Sequence, residues 1–235
     1  FILLIPFSGE IYNILSTPLL NALPDGSEMI AIDVASPFLI PFKLVIYLSI
    51  FIVIPYILYH LWSFIAPGLY AHEKKLIFPL ILSSSFLFYL GAAFAYFIVF
   101  PLIFVFFIGI APTDVAVMTD IGRYLDFVIA LFFAFGFSFE VPIVTVLLIT
   151  SGITTREKLA SKRPYIIVGA FTLGMLLTPP DVISQILLAL PMWLLYEIGL
   201  HSSKYFKIRK LSNNDEELYN LSLIHISEPT RQAEI

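Results

Sequence analysis

A chain of 235 residues that is 59% hydrophobic and 13% charged, with mean hydropathy +0.94, is excluded as an ordinary soluble domain, whose charged share is roughly 25%. The net charge of −4 decides little, because in a membrane protein the placement of charge matters more than its sum. The absence of cysteine excludes disulfides, thiolate chemistry and Cys-based metal sites.

The chain opens on "FILLIPF", residues 1–7, which has no Met and no charge and reads as the tail of a first transmembrane helix that begins before the chain does. Residues 8–37 read as a long acidic outer loop, with Pro18 as a turn or rigidity element in it. A helix is expected over 38–62, with Lys43 near one end, where its stem reaches the interface. Residues 76–110 carry no charge for 35 positions, ~52 Å if fully helical. Pro101 is expected to kink or end that span, which is assigned to 76–101.

Residues 127–150 form the next span, and it contains a carboxylate, Glu140, in an otherwise apolar run. The stretch 165–178 is short, ~21 Å at 1.5 Å per residue, and Pro179-Pro180 stops it. Residues 182–200 make the last span. The economical architecture is an all-α polytopic bundle of six helices, because lipid offers no partners for backbone groups. Within this transmembrane domain (1–210), no barrel-like alternation occurs. Residues 211–220 read as a cytoplasmic tail. "LSLIHISEPTRQAEI" (221–235) resembles a translated sequencing adapter and is set aside as an artefact.

Loop charges orient the chain. The loops 60–75 and 150–164 and the tail from 201 hold ten Lys/Arg, against only Lys43 and Arg123 on the opposite side. The positive-inside rule places the first set in the cytoplasm, so both complete termini are expected there.

Five motifs then occur in order: "SFIAPGLYAHEKK" (63–75), "GAAFAYFIVFP" (91–101), "FGFSFEVP" (135–142), "KRPYIIVGAF" (162–171) and "GMLLTPPDVISQ" (174–185). Together they resemble TatC, the multispanning subunit of the twin-arginine protein translocase, and "AIDVASPF" (31–38) resembles its proteobacterial branch. The resemblance covers roughly residues 9–205; the family's acidic cytoplasmic N-terminal segment and most of its first helix are absent from this chain. It implies a six-helix bundle with a concave face, in the bacterial inner membrane. Its implied activity is recognition of folded cargo through a signal peptide carrying two adjacent arginines. Transport then proceeds with single-span TatA- and TatB-type partners, driven by the proton gradient, in a hetero-complex holding several copies of the chain. No cofactor and no nucleic-acid partner are implied.

The resemblance assigns signal-peptide binding to Glu73 and Phe64, and the neighbouring Pro67, Leu69 and Tyr70 would supply dry surroundings. From the residues alone, Glu73 reads first as a first-turn carboxylate facing a positive helix end, and the resemblance reverses that preference. Its carboxylate also suits a guanidinium fork bidentately. Glu140 reads either as a carboxyl hydrogen-bonded within the bundle or as a polar spot on a cavity wall; the family's concave face favours the second. A carboxyl there costs about 2.5–3.5 kcal/mol on insertion scales, which water beside the short 165–178 span would reduce. Thr178 and Asp181 fit a capping arrangement around the two prolines. With Met175 and Gln185 they also match family positions implicated in docking a partner's transmembrane helix.

An ion-coupled transporter of a small solute is the alternative, and it predicts inverted repeats and paired broken helices; no convincing repeat is present. An enzyme would need a nucleophile–base pair or a metal motif. His60, His72, His201 and His225 are scattered, and no H-E-x-x-H occurs.

Overall fold

The computed structural model describes residues 1–23, 29–69, 77–110, 118–177 and 182–204; the side chains of 65–69, 77, 177, 183 and 184 lie outside that description. It is all-helical. A 3-10 turn, Ile2–Phe7, leads into α1 (Ser8–Leu20). There follow α2 (Ser36–Leu69), α3 (Ile77–Phe94), a π turn (Ala95–Val99) and α4 (Phe100–Ile110). The second half holds α5 (Ile121–Ser138), α6 (Val141–Thr150), α7 (Arg156–Ala160), α8 (Arg163–Leu177) and α9 (Val182–Ser202). Among the described residues four stretches are long and apolar enough to cross a membrane: Ile2–Leu20, Ser36–Phe64, Phe78–Ile110 and Ile121–Thr150. The helix Arg163–Leu176 is apolar but shorter.

Three segments differ from the sequence expectation. Residues 8–20, assigned to a loop, are helical, and Pro18 lies buried inside α1 rather than in a turn. The apolar positions Ile11, Ile14, Leu15, Pro18 and Leu19 recur at helical spacing, a pattern that the proline and nearby acidic residues obscure. Pro101 does not end its span. The helix continues to Ile110, and the wide π turn immediately before Pro101 accommodates a ring with no N–H to donate. The fourth long span starts at Ile121, earlier than expected, and breaks at Phe139–Glu140 before α6 resumes. Residues 211–220 and 221–235 lie outside the described residues.

Packing is dominated by α8 on α9, α6 on α9, and α3 on both α5 and α2. One core sets α4 against α5: Phe100, Ile103, Val128, Leu131 and Phe135 are wholly enclosed. A second joins α2 to α3 and α6 through Ile54, Leu58, Trp62, Phe88 and Leu147. Without a hydrophobic drive between helices in lipid, close backbone approach through small residues matters more. Gly91 of α3 shows this: a Cβ there would lie 2.5 Å from the Phe135 carbonyl oxygen and 2.9 Å from the Phe139 ring. Gly91→Ala is therefore expected to destabilise the protein by about 1–3 kcal/mol, the usual range for overpacking. A thermal melt in detergent checks this; an unchanged midpoint contradicts the packing.

The segments that precede α2 and α5 are tied together. Ile30 N–H donates to the Thr119 carbonyl at 3.0 Å, and Ile121 N–H donates to the Ile30 carbonyl at 2.9 Å. Asp120 caps α5, accepting from Gly122 N–H at 3.1 Å and Arg123 N–H at 2.9 Å, and it also accepts from Ile32 N–H at 3.1 Å. The hydrogen bond from the Arg123 amide, then that from Ile32, hold its carboxyl below the usual carboxylate range. The cap is therefore fully formed above the ordinary Asp pKa and is lost only as pH falls through the lowered one. Lys43, expected to reach the interface, forms an ion pair with Asp126 of α5.

Candidate functional site in the transmembrane bundle

The break between α5 and α6 exists because Pro142 occupies the first turn of α6, where its missing N–H has no helical partner to lose. Glu140 sits in that break, and its side chain engages α3. Ser84 Oγ donates to Glu140 Oε2. Trp62 Nε1–H of α2 in turn donates to Ser84 Oγ at 2.8 Å. The carboxyl is 6% exposed, and its second oxygen, Oε1, is buried without a partner among the described residues. One carboxyl thus links α2, α3 and the α5–α6 break. Of the two readings of Glu140, hydrogen-bonded within the bundle or a polar spot on a cavity wall, the described contacts show the first: Ser84 and Trp62 give the side chain a polar partner inside the bundle. The hydroxyl of Ser138 does not join this chain; it donates to the Ala134 carbonyl at 2.6 Å.

A cleft lies elsewhere, between α8 and α9. It has a volume of about 300 Å³ and is lined by Ile167, Val168, Phe171, Thr172, Met175 and Gln185. An adjoining cleft of about 210 Å³ is faced by Trp193 and Leu190. Neither is lined by Glu140. Met175 is 54% exposed and Gln185 is half-buried; the two are brought together. Thr178 and Asp181 lie outside the described residues. Trp193 Nε1 is a buried donor with no partner among the described residues. The α8–α9 pair is closed at its other end by a bidentate ion pair. Arg163 Nε donates to Glu197 Oε1 at 2.5 Å and Nη2 donates to Oε2 at 2.9 Å.

Of the residues expected to bind a signal peptide, Phe64 lies on α2 and is 85% exposed. Pro67 and Leu69 belong to α2, with side chains outside the description. Tyr70 and Glu73 lie outside the described residues. Ser84, Trp62, Trp193 and the Arg163–Glu197 pair are absent from the sequence reading. Two signals could have found some of them: the triple serine 83–85 in an apolar span, and a lone acid, Glu197, in the last one.

A broken span with a buried carboxyl at the break, and a mostly apolar cleft between α8 and α9, define a polytopic membrane protein. Glu140, Ser84, Trp62, Arg163 and Glu197 are polar groups that serve contacts between its helices. The model of the family described as "Sec-independent protein translocase protein (TatC)" matches residues 1–191. The chain is 56% identical over 216 residues to the Sec-independent protein translocase protein TatC of Escherichia coli strain K12, covering 92% of this chain and 83% of that protein. It is 54% identical over 220 residues to the TatC of Haemophilus influenzae, covering 92% and 86%. A crystal structure of the twin arginine translocase receptor TatC superimposes with a TM-score of 0.78 at 41% identity, over 86% of this chain and 89% of that one. This chain belongs to the TatC family.

Proposed function

We propose that the protein is the signal-peptide receptor subunit of a twin-arginine translocase, exporting folded proteins across a bacterial inner membrane. The observation that carries this reading is the joint match in sequence and fold to a twin arginine translocase receptor over most of both chains. Its role is transport rather than catalysis, in keeping with relatives named as protein translocase proteins.

In this reading the cytoplasmic loop after α2 receives the arginine pair. Glu73 forms the fork contact, and Phe64, Pro67, Leu69 and Tyr70 provide apolar surroundings that keep the pair from being a weak, fully wet one. The α8–α9 cleft receives the transmembrane helix of a TatA- or TatB-type single-span partner. Met175 and Gln185 lie at the cleft, and Thr178 and Asp181, between them in sequence, complete the docking set. A polar contact there contributes only ~0.6 kcal/mol on average, so Gln185 selects a partner more than it holds one. Several copies work together, both complete termini face the cytoplasm, and the proton gradient drives transport. The excess of Lys/Arg in one set of alternate loops supports that orientation.

The test is co-purification. Solubilised in mild detergent, the protein is expected to bring down single-span partners, and Gln185→Leu to weaken that association severalfold. Specific binding of a small solute with no single-span partner would favour the transporter reading instead.

A further inference from the structure

α1 contains a proline at a place where its missing N–H has a definite consequence. Pro18 lies inside the helix Ser8–Leu20, so the carbonyl four residues back, that of Ile14, has no helical donor. That carbonyl is not left unpaired. Tyr96 Oη–H donates to it at 2.7 Å, and Tyr96 belongs to the π turn Ala95–Val99. The next carbonyl along, that of Leu15, accepts from Tyr124 Oη–H of α5 at 2.5 Å. The two phenols therefore hold adjacent carbonyls of one helix from two different elements. Their rings are fixed by packing: Tyr96 stacks on Phe132 with planes 13° apart, and Tyr124 is 3% exposed.

We infer that Pro18, Tyr96 and the π turn form one unit that positions α1 for transport. Pro18 leaves the Ile14 carbonyl open, the π turn presents Tyr96, and the Tyr96 hydroxyl anchors α1 to the α3–α4 span. The two phenols are not equivalent. Leu19, unlike Pro18, has an N–H to offer the Leu15 carbonyl, so that group has a second source of donors. For the Ile14 carbonyl the donor four residues on is missing and the Tyr96 hydroxyl takes its place, and leaving a backbone acceptor unsatisfied costs more than the bond itself contributes. Tyr96 is thus a positioning residue, acting through α1. Its place in transport rests on the translocase reading, but its coupling to Pro18 does not.

The test is a double-mutant cycle, read as melting temperature of the purified full chain. Tyr96→Phe is expected to lower the midpoint by about 2–4 °C, the shift that ~1 kcal/mol produces in a chain of this size. In a Pro18→Ala background the new N–H can take the Ile14 carbonyl, and Tyr96→Phe should then have little further effect. Tyr124→Phe should lower the midpoint equally in the native and the Pro18→Ala backgrounds. p-Aminophenylalanine at position 96 keeps a para donor and should restore the midpoint that Phe loses. Equal effects of Tyr96→Phe in both backgrounds, or no rescue by the amino side chain, would overturn the unit. If Pro18→Ala does not accumulate, the Phe and p-aminophenylalanine pair decides on the native background. In cells, Tyr96→Phe is expected to reduce export of a twin-arginine cargo roughly fivefold, the factor for ~1 kcal/mol. Signal-peptide crosslinking should stay unchanged, and p-aminophenylalanine should restore export. Full export by Tyr96→Phe with a lowered midpoint would remove the positioning role and leave the structural unit. Absence of export by the unaltered chain would refute the translocase reading and the positioning role with it, while the melting cycle would still decide the structural unit.

Discussion

Glu73→Lys is expected to lower crosslinking of a twin-arginine signal peptide at least tenfold, with the chain inserted and expressed normally. The substitution replaces the acceptor of a guanidinium fork with a like charge, so it removes an attraction and adds a repulsion. A partly dry carboxylate–guanidinium pair lies above the ~0–1 kcal/mol of an exposed one, and charge reversal at a recognition site costs several kcal/mol. Glu73→Ala should fall between, and Glu73→Asp should be mildest because the acceptor survives on a shorter stem. Lys74 and Lys75 sit beside it; they oppose a basic ligand, so their removal should not weaken binding and should instead loosen the orientation of the loop. Undiminished crosslinking by Glu73→Lys at normal expression would refute the assignment. A loss of expression instead would support the helix-end reading of the carboxylate.

The second large effect belongs to Glu140. Ala there deletes a buried side chain about the size of those whose truncation costs about 2–5 kcal/mol. It also deprives Ser84 of its acceptor in a chain that runs from Trp62. Export is expected to fall severely and the melting temperature with it. Glu140→Gln keeps the shape and a carbonyl for Ser84 to donate to, and should retain most export and nearly native stability. Ser84→Ala removes the link from the other side and should reproduce part of the Ala effect, with strong non-additivity in the double variant. If the carboxyl must ionise or carry protons, Gln should fail as completely as Ala while melting normally. Full export by Glu140→Leu would leave neither role standing.

Much of this organisation is legible in the sequence, for identifiable reasons. Length and hydropathy locate a long span wherever the run is uncharged, as in α2 and across α3–α4. Motifs of several residues in fixed order identify the family before any contact is seen. What is not legible is whatever depends on a partner distant in sequence. α1 reads as a loop because its proline looks like a turn until Tyr96, 82 residues away in the chain, supplies the missing donor. Glu140 reads as a cavity residue because the carboxyl's partner, Ser84, lies 56 residues back, and one serine in a run of three carries no mark of its own. The Arg163–Glu197 fork is of the same kind: both residues are visible as charges at span ends, but only packing pairs them. Glu73, by contrast, is singled out by sequence and family alone.

Export of a folded cargo in cells whose only TatC-type subunit is this protein tests the central claim most directly. The account predicts that a prefolded reporter behind a twin-arginine signal reaches the periplasm. It also predicts that changing the two arginines to lysines stops it, because a point-charge ammonium cannot reproduce the fork contact. Export that ignores that change, or no export despite normal insertion and assembly, would contradict it.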